Sequence, residues 1–192
     1  MFIVFEWLDG SGSSTQARLL AEYFQKNWKS VLATKEPNED SPIWKLIREI
    51  LQHKHKVSWD SLQLLFSADR AEHLASKIEP ALKEWKIVIS DRYFFSTIAF
   101  AALTWNQEWM ENVNKRFRLP DFIFLFKLAP EECVKRIESR WAEKELFEKT
   151  ETLKKVWEGY EWLSKRFENI HLIDASKSIE EIHKEIVSKI QN

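Results

Sequence analysis

The chain has 192 residues, a formal net charge of −1 and 44% hydrophobic residues, which suits one compact domain with a sizeable core. The balanced charge argues against a broad surface for nucleic acid or anionic lipid, and the single cysteine, Cys133, excludes an internal disulfide and a multi-cysteine metal site. No apolar run approaches the roughly 20 residues that span a bilayer, and Met1 opens directly onto a strand pattern. We therefore expect a cytoplasmic protein with neither nucleic-acid nor membrane partners.

Glycine is scarce in this chain and tryptophan is abundant. At a usual glycine frequency of about 7%, a chain of this length should carry roughly 13 glycines, but it has 3, together with 10 tryptophans. The positions of the tryptophans along the chain therefore need an explanation.

The first stretch, FIVFEWLDGSGSST at residues 2–15, predicts a strand, a loop and a helix. Residues 2–5 form an apolar strand pattern, and apolar residues recur at helical spacing from about residue 14 to 26. A phosphate-binding P-loop has this setting and the spacing G-x-x-x-x-G-K-[ST]. The corresponding positions here hold Trp7, Gly12, Ser13 and Ser14. Two of four positions differ, so this segment alone fits either a nucleotide-binding loop or an ordinary strand-to-helix turn.

Four further strand patterns alternate with helices in the rest of the chain. The strands are predicted at residues 31–35, 87–89, 122–126 and 170–173. Helices are predicted at residues 43–52, 59–84, 94–103, 105–119, 131–140, 152–167 and 178–190. Five strands that alternate with helices predict a parallel sheet covered by helices on both faces. No repeat or linker divides the chain into domains.

Two tryptophans stand where a helix must stop immediately before a strand, namely Trp28 and Trp85. Such a stop favours glycine or asparagine in the left-handed conformation, and another residue there costs about 1–2 kcal/mol. Local pattern and the family resemblance described below place glycine also at Trp44, Trp105 and Trp141. No such explanation is needed for Trp59, Trp109, Trp157 and Trp162.

Asp91 and Arg92 follow the strand at residues 87–89, at the sheet edge where open parallel sheets bind ligands. The carboxylate is suited to hold Mg²⁺ through water, and the guanidinium is suited to grip a phosphate. The alternative is a surface ion pair.

Two further pairs of residues lie four apart on predicted helices and so share a face. Phe66 and Arg70 offer an aromatic plane for a base and a cation for a monophosphate, or else a core phenylalanine beside a solvated arginine. Arg136 and Arg140 adjoin the charged segment 143–151 and suit a lid that brings cations to a phosphoryl group, or else a solvated helix face. The five histidines show no metal-ligand spacing.

Taken together, these motifs resemble the thymidylate kinases. The segments that carry the resemblance, in order, are FEWLDGSGSSTQARLL, TKEP, LLFSADRAEH, IVISDRYFFSTIAFA, LPDFIFLF and LIDASKSIEEIHKEI, which cover essentially the whole chain. The resemblance implies an α/β fold of the P-loop NTPase type, a three-layer sandwich in which helices cover both faces of a five-stranded parallel sheet. It also implies one nucleoside monophosphate kinase domain over residues 1–192, with a lid near 136–150. The implied activity is transfer of the ATP γ-phosphoryl group to dTMP with Mg²⁺, giving dTDP, by a homodimer.

The resemblance also assigns roles to residues on the acceptor side. Phe66 would stack on thymine, Arg70 and Arg92 would hold the nucleotide and its phosphate, and Asp9 would approach the sugar 3′-hydroxyl. An aromatic residue at Phe100 would crowd out a ribose 2′-hydroxyl. The full set of acceptor-binding candidates is Asp9, Glu36, Phe66, Arg70, Arg92, Ser96 and Phe100.

On the donor side, the resemblance implies a phosphate cradle and a metal site. The candidate cradle residues are Gly10, Ser11, Gly12, Ser13, Ser14 and Thr15. Ser14 and Asp91 are the candidate ligands of Mg²⁺. Asp91, Arg92 and Arg140 are the candidate catalytic residues.

The chain departs from the family pattern G-x-D-G-x-G-K-[ST]-T at Trp7 and Ser13. Losing one preorganised donor to developing charge commonly costs on the order of 10²- to 10³-fold in rate, and no arginine stands between Arg140 and Arg166 to compensate in the lid. A catalytically disabled dTMP-binding pseudokinase is therefore one alternative. A kinase for another nucleoside monophosphate is a second, since the sequence does not separate thymine from uracil.

Three explanations fit the tryptophans at glycine positions. A codon reassigned to glycine explains the glycine-to-tryptophan bias but not Ser13. Deliberate inactivation explains Trp7 and Ser13 but not the distant helix stops. A natural pseudoenzyme that retains the acceptor pocket is the third.

Overall fold

The computed structural model describes residues 1–8, 11, 13–138 and 150–191. Its central feature is a five-stranded sheet in which all paired strands are parallel and the order is β2-β3-β1-β4-β5. The strands are β1 (Phe2–Trp7), β2 (Val31–Lys35), β3 (Ile87–Asp91), β4 (Phe122–Lys127) and β5 (Ile170–Asp174). The predicted fold class is therefore confirmed.

Strand β1 lies in the middle of the sheet, and all six of its residues are buried. This burial explains the near-continuous apolar run, because a central parallel strand is covered on both faces. Phe5 pairs with Asp91 of β3 and with Phe124 of β4. The ends of β1 and β3 thus lie side by side, which places Glu6 and Trp7 next to the turn that follows Asp91.

The helices occupy the segments predicted from periodicity, with some differences in their bounds. They are α1 (Ser13–Lys26), α2 (Pro42–Leu51), α3 (Trp59–His73), α4 (Glu79–Lys83), α5 (Phe94–Phe100), α6 (Gln107–Asn114), α7 (Pro130–Glu138), α8 (Thr150–Ser164) and α9 (Ile179–Gln191). None of the described helices is long and apolar enough to cross a membrane. Most of the expected lid, residues 139–149, lies outside the described residues.

The long helix predicted over residues 59–84 is interrupted by a π-helical segment, Leu74–Ile78, between α3 and α4. The N–H of Glu79 donates to the carbonyl of Leu74, one residue further back than in an α-helix. Pro80 follows directly, and its missing N–H removes an α-helical hydrogen bond. The single helix predicted over residues 94–103 is likewise divided into α5 and a 3₁₀ turn at Ala101–Thr104.

Helix α8 approaches α5 closely at Gly159. A Cβ at this position would lie 2.4 Å from the carbonyl oxygen of Ala99, far inside van der Waals contact. The glycine therefore sets the spacing between the two helices, and the next residue, Tyr160, is buried against the end of β1.

Three segments of helix end at an exposed tryptophan in the left-handed conformation, namely Trp28, Trp85 and Trp105, with φ of 59°, 60° and 58°. At Trp28, its N–H donates to the carbonyl of Gln25, and the N–H of Lys29 donates to that of Phe24, both at 3.0 Å. This pair of bonds is the Schellman motif, and the same pairing recurs at the other two sites.

The side chains at these stops contribute no burial, since Trp28, Trp85 and Trp105 are 96%, 93% and 85% exposed. The expectation of a left-handed stop at the first two is therefore confirmed. Trp44 lies inside α2 and is not among the residues with positive φ, so its backbone does not require glycine. Trp141 lies outside the described residues.

We expect Trp28→Gly, Trp85→Gly and Trp105→Gly each to stabilise the fold by about 1 kcal/mol, because glycine removes the left-handed strain but loses more entropy on folding. For a domain of this size, the midpoint of thermal unfolding should rise by about 2–4 °C per substitution. Trp109→Gly, inside α6, is the matched control and should lower stability by a similar amount. Destabilisation by all four substitutions would contradict the strain argument.

Candidate active site at the carboxyl edge of the sheet

One cavity of about 150 Å³ lies beyond the carboxyl ends of β2 and β3. Six of the seven acceptor-binding candidates from the sequence line it. They are Glu36, Phe66, Arg70, Arg92, Ser96 and Phe100. The seventh, Asp9, lies outside the described residues. The structure thus brings together residues from the loop after β2, helix α3, the turn after β3 and helix α5.

Arg70 is buried in this cavity wall, with 3% of its surface exposed. Its Nε donates to Glu36 Oε2 at 2.6 Å, Nη1 donates to Asn114 Oδ1 at 2.9 Å, and Nη2 donates to Thr97 Oγ1 at 3.1 Å. The alternative of a solvated arginine beside a core phenylalanine is therefore wrong. Three partners from three elements fix the guanidinium plane, which removes the rotamer freedom of a long side chain.

Glu36 completes this buried pair. Its Oε1 lies 3.3 Å from Nδ1 of the fully buried His73, whose Nε2 lies 2.7 Å from Thr34 Oγ1. The N–H of Glu36 donates to the carbonyl of Asp91 at 2.9 Å. The carboxylate therefore joins β2, α3 and the end of β3 into one polar cluster.

Arg92 stands on a strained turn directly after β3. Its φ is 71°, a left-handed value that is uncommon for a residue with a side chain. Its N–H donates to the carbonyl of Phe5 at 2.9 Å, and its Nη1 donates to Ser96 Oγ at 2.9 Å. The guanidinium carbon lies 4.4 Å from the centre of the Trp7 ring. The indole at position 7 is thus buried beneath this arginine.

A buried carboxylate, Glu6, lies behind the same turn. Its Oε1 accepts a hydrogen bond from the N–H of Tyr93 at 2.8 Å, and its Oε2 accepts from Ser96 Oγ at 2.5 Å and from Tyr160 Oη at 2.8 Å. Burial raises the pKa of Glu6 to about 7, although Arg92 and the three donors act in the opposite direction. Burial also raises the pKa of Tyr160, so its hydroxyl stays protonated and donates.

On the donor side, Ser14 Oγ donates to Asp91 Oδ2 at 2.7 Å. A hydroxyl and a carboxylate are hard oxygen ligands of the kind Mg²⁺ prefers, so the two candidate metal ligands lie together. Ser13 begins α1, and Thr15 follows in its first turn, where N–H groups without helical partners can bind phosphate. Ser11 is buried, with its N–H donating to the carbonyl of Leu8 at 3.2 Å. Gly10 and Gly12 lie outside the described residues.

Two candidates from the expected lid remain. Arg136 lies in the last turn of α7, while Arg140 lies outside the described residues. Among the residues that the structure describes, no group of three or more His, Cys, Asp or Glu side chains is placed to hold a metal ion.

Sequence reasoning missed Thr97 and Asn114, which accept hydrogen bonds from Arg70, and Glu6 and Tyr160, which lie behind Ser96 and Arg92. One signal was available, because Glu6 is a charged residue inside an otherwise apolar central strand, where an ionisable group is rarely placed without a partner. The other three stand in ordinary helical patterns, and no local feature marks them.

A model of the thymidylate kinase family matches residues 5–186. The chain belongs to this family. It is 42% identical over 201 aligned residues to a probable thymidylate kinase of Thermococcus onnurineus, covering 100% of this chain and 98% of that protein. It is 38% identical to a putative thymidylate kinase of Treponema pallidum, covering 99% of this chain and 94% of that protein. The resemblance stated from the sequence is confirmed.

The fold is similar to that of a solved thymidylate kinase from Candida albicans, with a TM-score of 0.82 over 99% of this chain and 90% of that chain. At 24% identity, this likeness bears on the fold alone. The P-loop NTPase architecture expected for a thymidylate kinase is therefore confirmed, while the roles of individual residues are proposals, taken up below.

We expect Arg70→Met to destabilise the protein by about 3–5 kcal/mol, because it leaves the buried Glu36 carboxylate without its charged partner. Denaturant unfolding measures this change. Arg118→Met is the matched control: Arg118 and its partner Glu79 are partly exposed and joined at 2.7 Å, so about 1 kcal/mol or less is expected. Equal losses for both variants would contradict the burial argument.

Proposed function

We propose that this thymidylate kinase family member transfers the γ-phosphoryl group of ATP to dTMP, giving dTDP and ADP, in the supply of dTTP. The observation that carries the proposal is a cavity that gathers aromatic rings, Phe66 and Phe100 among them, and two arginines beside the Ser14–Asp91 pair. The aromatic rings suit a flat base, the arginines suit a sugar monophosphate, and the Ser14–Asp91 pair suits a metal-bound triphosphate.

The acceptor base would lie between aromatic residues. Phe66 and Phe100 both line the cavity, and aromatic rings gain from offset stacking as well as from burial. Arg70 presents a guanidinium that its three partners already hold in place, so little entropy is lost when a nucleotide binds. Phe100, being nearly buried, would leave no room for a 2′-hydroxyl and would thus favour a deoxynucleotide.

The acceptor phosphate would bind to Arg92, next to Ser96. In the transfer, an oxygen of the dTMP phosphate forms a bond to the γ-phosphorus of ATP as the bond from that phosphorus to the β,γ-bridging oxygen breaks, and ADP leaves. Ser14 and Asp91 would hold Mg²⁺, directly or through water, and Mg²⁺ supplies neutralisation of charge on the transferring phosphates. Arg92 would bring its positive charge to the acceptor side and keep the two phosphates close.

Two residues favour a second candidate function, dTMP binding without transfer. Ser13 brings no positive charge to the position where the family pattern has lysine, and Trp7 covers one face of Arg92 with its indole. Both changes would affect the binding of phosphates, whereas Arg70 and the aromatic residues expected to bind the base are present in the cavity. We keep active transfer as the first proposal because Asp91, Ser14 and Arg92 lie together at the edge of the sheet.

Family membership supports four further parts of the proposal. They are one kinase domain over residues 1–192, a lid near 136–150 that brings Arg140 to the phosphates, assembly as a homodimer, and a cytoplasmic location. Gly10, Gly12, Ser11, Ser13 and Thr15 would line the ATP phosphate cradle, and Asp9 and Glu36 would complete the acceptor pocket.

Calorimetric titration with dTMP and then with Mg-ATP, combined with a coupled assay of ADP release, tests the proposal. We expect binding of both nucleotides and turnover that depends on dTMP. Binding of dTMP without ATP binding or turnover would instead establish the second candidate. Absence of dTMP binding would overturn both.

We expect Ser13→Lys to raise the rate of phosphoryl transfer by on the order of 10²- to 10³-fold, because it restores one preorganised cation at the phosphates. The ADP-release assay at saturating dTMP measures this change. Asn112→Lys, on the exposed face of α6, is the matched control for added charge and should leave the rate unchanged. An unchanged rate in Ser13→Lys would show that another cation already serves the phosphates.

A further inference from the structure

Glu6 supports both the backbone turn and the side chain of Arg92. Through Oε1 it accepts the N–H of Tyr93, the residue after Arg92, and so supports the backbone turn. Through Oε2 it accepts the hydroxyl of Ser96, whose oxygen in turn accepts Nη1 of Arg92. One carboxylate thus supports both the turn with φ of 71° at Arg92 and, through Ser96, the guanidinium of this arginine.

This arrangement is costly for stability alone. Glu6 is fully buried in the central strand, where a carboxylate loses its hydration and an apolar residue of similar size is often neutral or better for stability. The turn that it supports is itself strained, because Arg92 has a left-handed φ. Both costs are concentrated at Arg92, one of the two arginines that line the cavity.

We propose that Glu6 is a positioning residue that aims Arg92 at the phosphate of the acceptor nucleotide. The inference rests on the proposed function, because it takes that phosphate as the ligand of Arg92. The groups that face Glu6 are the Tyr93 N–H, Ser96, Tyr160 and Arg92. All three hydrogen-bonding groups donate, so the ionised carboxylate fits them and a neutral side chain does not.

Calorimetric titration of Glu6→Gln with dTMP and with thymidine tests the proposal without requiring turnover. Glutamine keeps the size of the side chain but replaces one acceptor oxygen by a donor. We expect about tenfold weaker binding of dTMP, the scale of one hydrogen bond to a charged group, and unchanged binding of thymidine, which has no phosphate. Glu168→Gln, at an exposed position, is the control and should change neither.

A double-mutant cycle separates positioning from general support. If Glu6 acts through Arg92, Glu6→Gln should have no further effect on dTMP binding once Arg92→Met is present. Ser96→Ala removes the link from Glu6 to the guanidinium but leaves the bond from Glu6 to the Tyr93 N–H. It should reproduce the selective loss and show the same dependence on Arg92 in its own double-mutant cycle, so a poorly folded Glu6→Gln would not prevent the test. Equal weakening of dTMP and thymidine, or tighter dTMP binding, would overturn the proposal while leaving the proposed function intact.

The dependence on pH supplies a second readout. Because the pKa of Glu6 is raised to about 7, the wild-type side chain is neutral well below that pH and ionised well above it. The ratio of dTMP dissociation constants, Glu6→Gln over wild type, should therefore be near one at acid pH and reach its full value at alkaline pH. Titration of the dTMP phosphate is common to both proteins and cancels in the ratio. A ratio independent of pH would contradict the role of the charge.

Failure of the unaltered chain to bind either ligand would instead overturn the proposed function, and this inference with it.

A separate observation concerns the identity of three residues. Trp28, Trp85 and Trp105 each hold the left-handed position of a Schellman motif, and each leaves its indole in solvent. Glycine is the usual residue there, and the chain has only 3 glycines against 10 tryptophans. One left-handed helix stop carries another residue, His53 with φ of 61°, so the backbone by itself does not select tryptophan.

We infer that glycine is the natural residue at positions 28, 85 and 105, encoded by a codon that its own cell decodes as glycine. This inference does not extend to Trp7 on the same grounds, because its backbone is that of a strand. Ser13 is not explained by it.

Peptide mass analysis of the protein made in its own cell tests this inference. Glycine is expected in the peptides that span positions 28, 85 and 105. Tryptophan at any of the three positions would overturn it.

Discussion

The pairing of β1 with β3 is the constraint on which the site depends. Phe5 lies opposite Asp91, the last residue of β3, while β1 continues to Trp7, and the chain turns sharply at Arg92 to enter α5. The N–H of Arg92 closes that turn on the carbonyl of Phe5. Because the sheet is parallel, the ends of β2 and β1 meet at the same edge, which is where parallel sheets bind ligands.

Two buried carboxylates stabilise this edge, each with an arginine. Glu36 pairs directly with Arg70, while Glu6 reaches Arg92 through Ser96. The difference matters for binding. Arg70 donates from all three of its nitrogens to protein oxygens and so acts as a rigid wall. Arg92 instead donates from Nη1 to Ser96, which in turn donates to Glu6, and its guanidinium lies over the Trp7 ring.

The strands and most helices could be predicted from the sequence because their signals are local. Apolar runs indicate buried parallel strands. A helical pattern that ends directly before a strand pattern indicates a helix stop at Trp28, although tryptophan does not favour the left-handed conformation required there. The surroundings of Arg70 could not be predicted, since Thr97 and Asn114 come from helices far away in the chain and their patterns are ordinary. Local reasoning therefore favoured a solvated Arg70, whereas the structure buries its side chain in the wall of the cavity.

The two departures from the family pattern concern different parts of the proposed chemistry. Under the proposed function, Ser13 would remove charge at the donor phosphates, whereas Trp7 packs beneath Arg92, which would serve the acceptor. A cation beside an aromatic face is stabilised by about 0.5–2 kcal/mol. A phosphate that binds Arg92 would have to compete with the contact between Arg92 and Trp7 only if it displaced the guanidinium. Since Ser96 holds Nη1 from another direction, Arg92 can keep its place above the indole and still present charge to a phosphate. Under the proposed function, electrostatic loss at Ser13, and not the bulk of Trp7, would thus be the change that bears most directly on the rate of phosphoryl transfer.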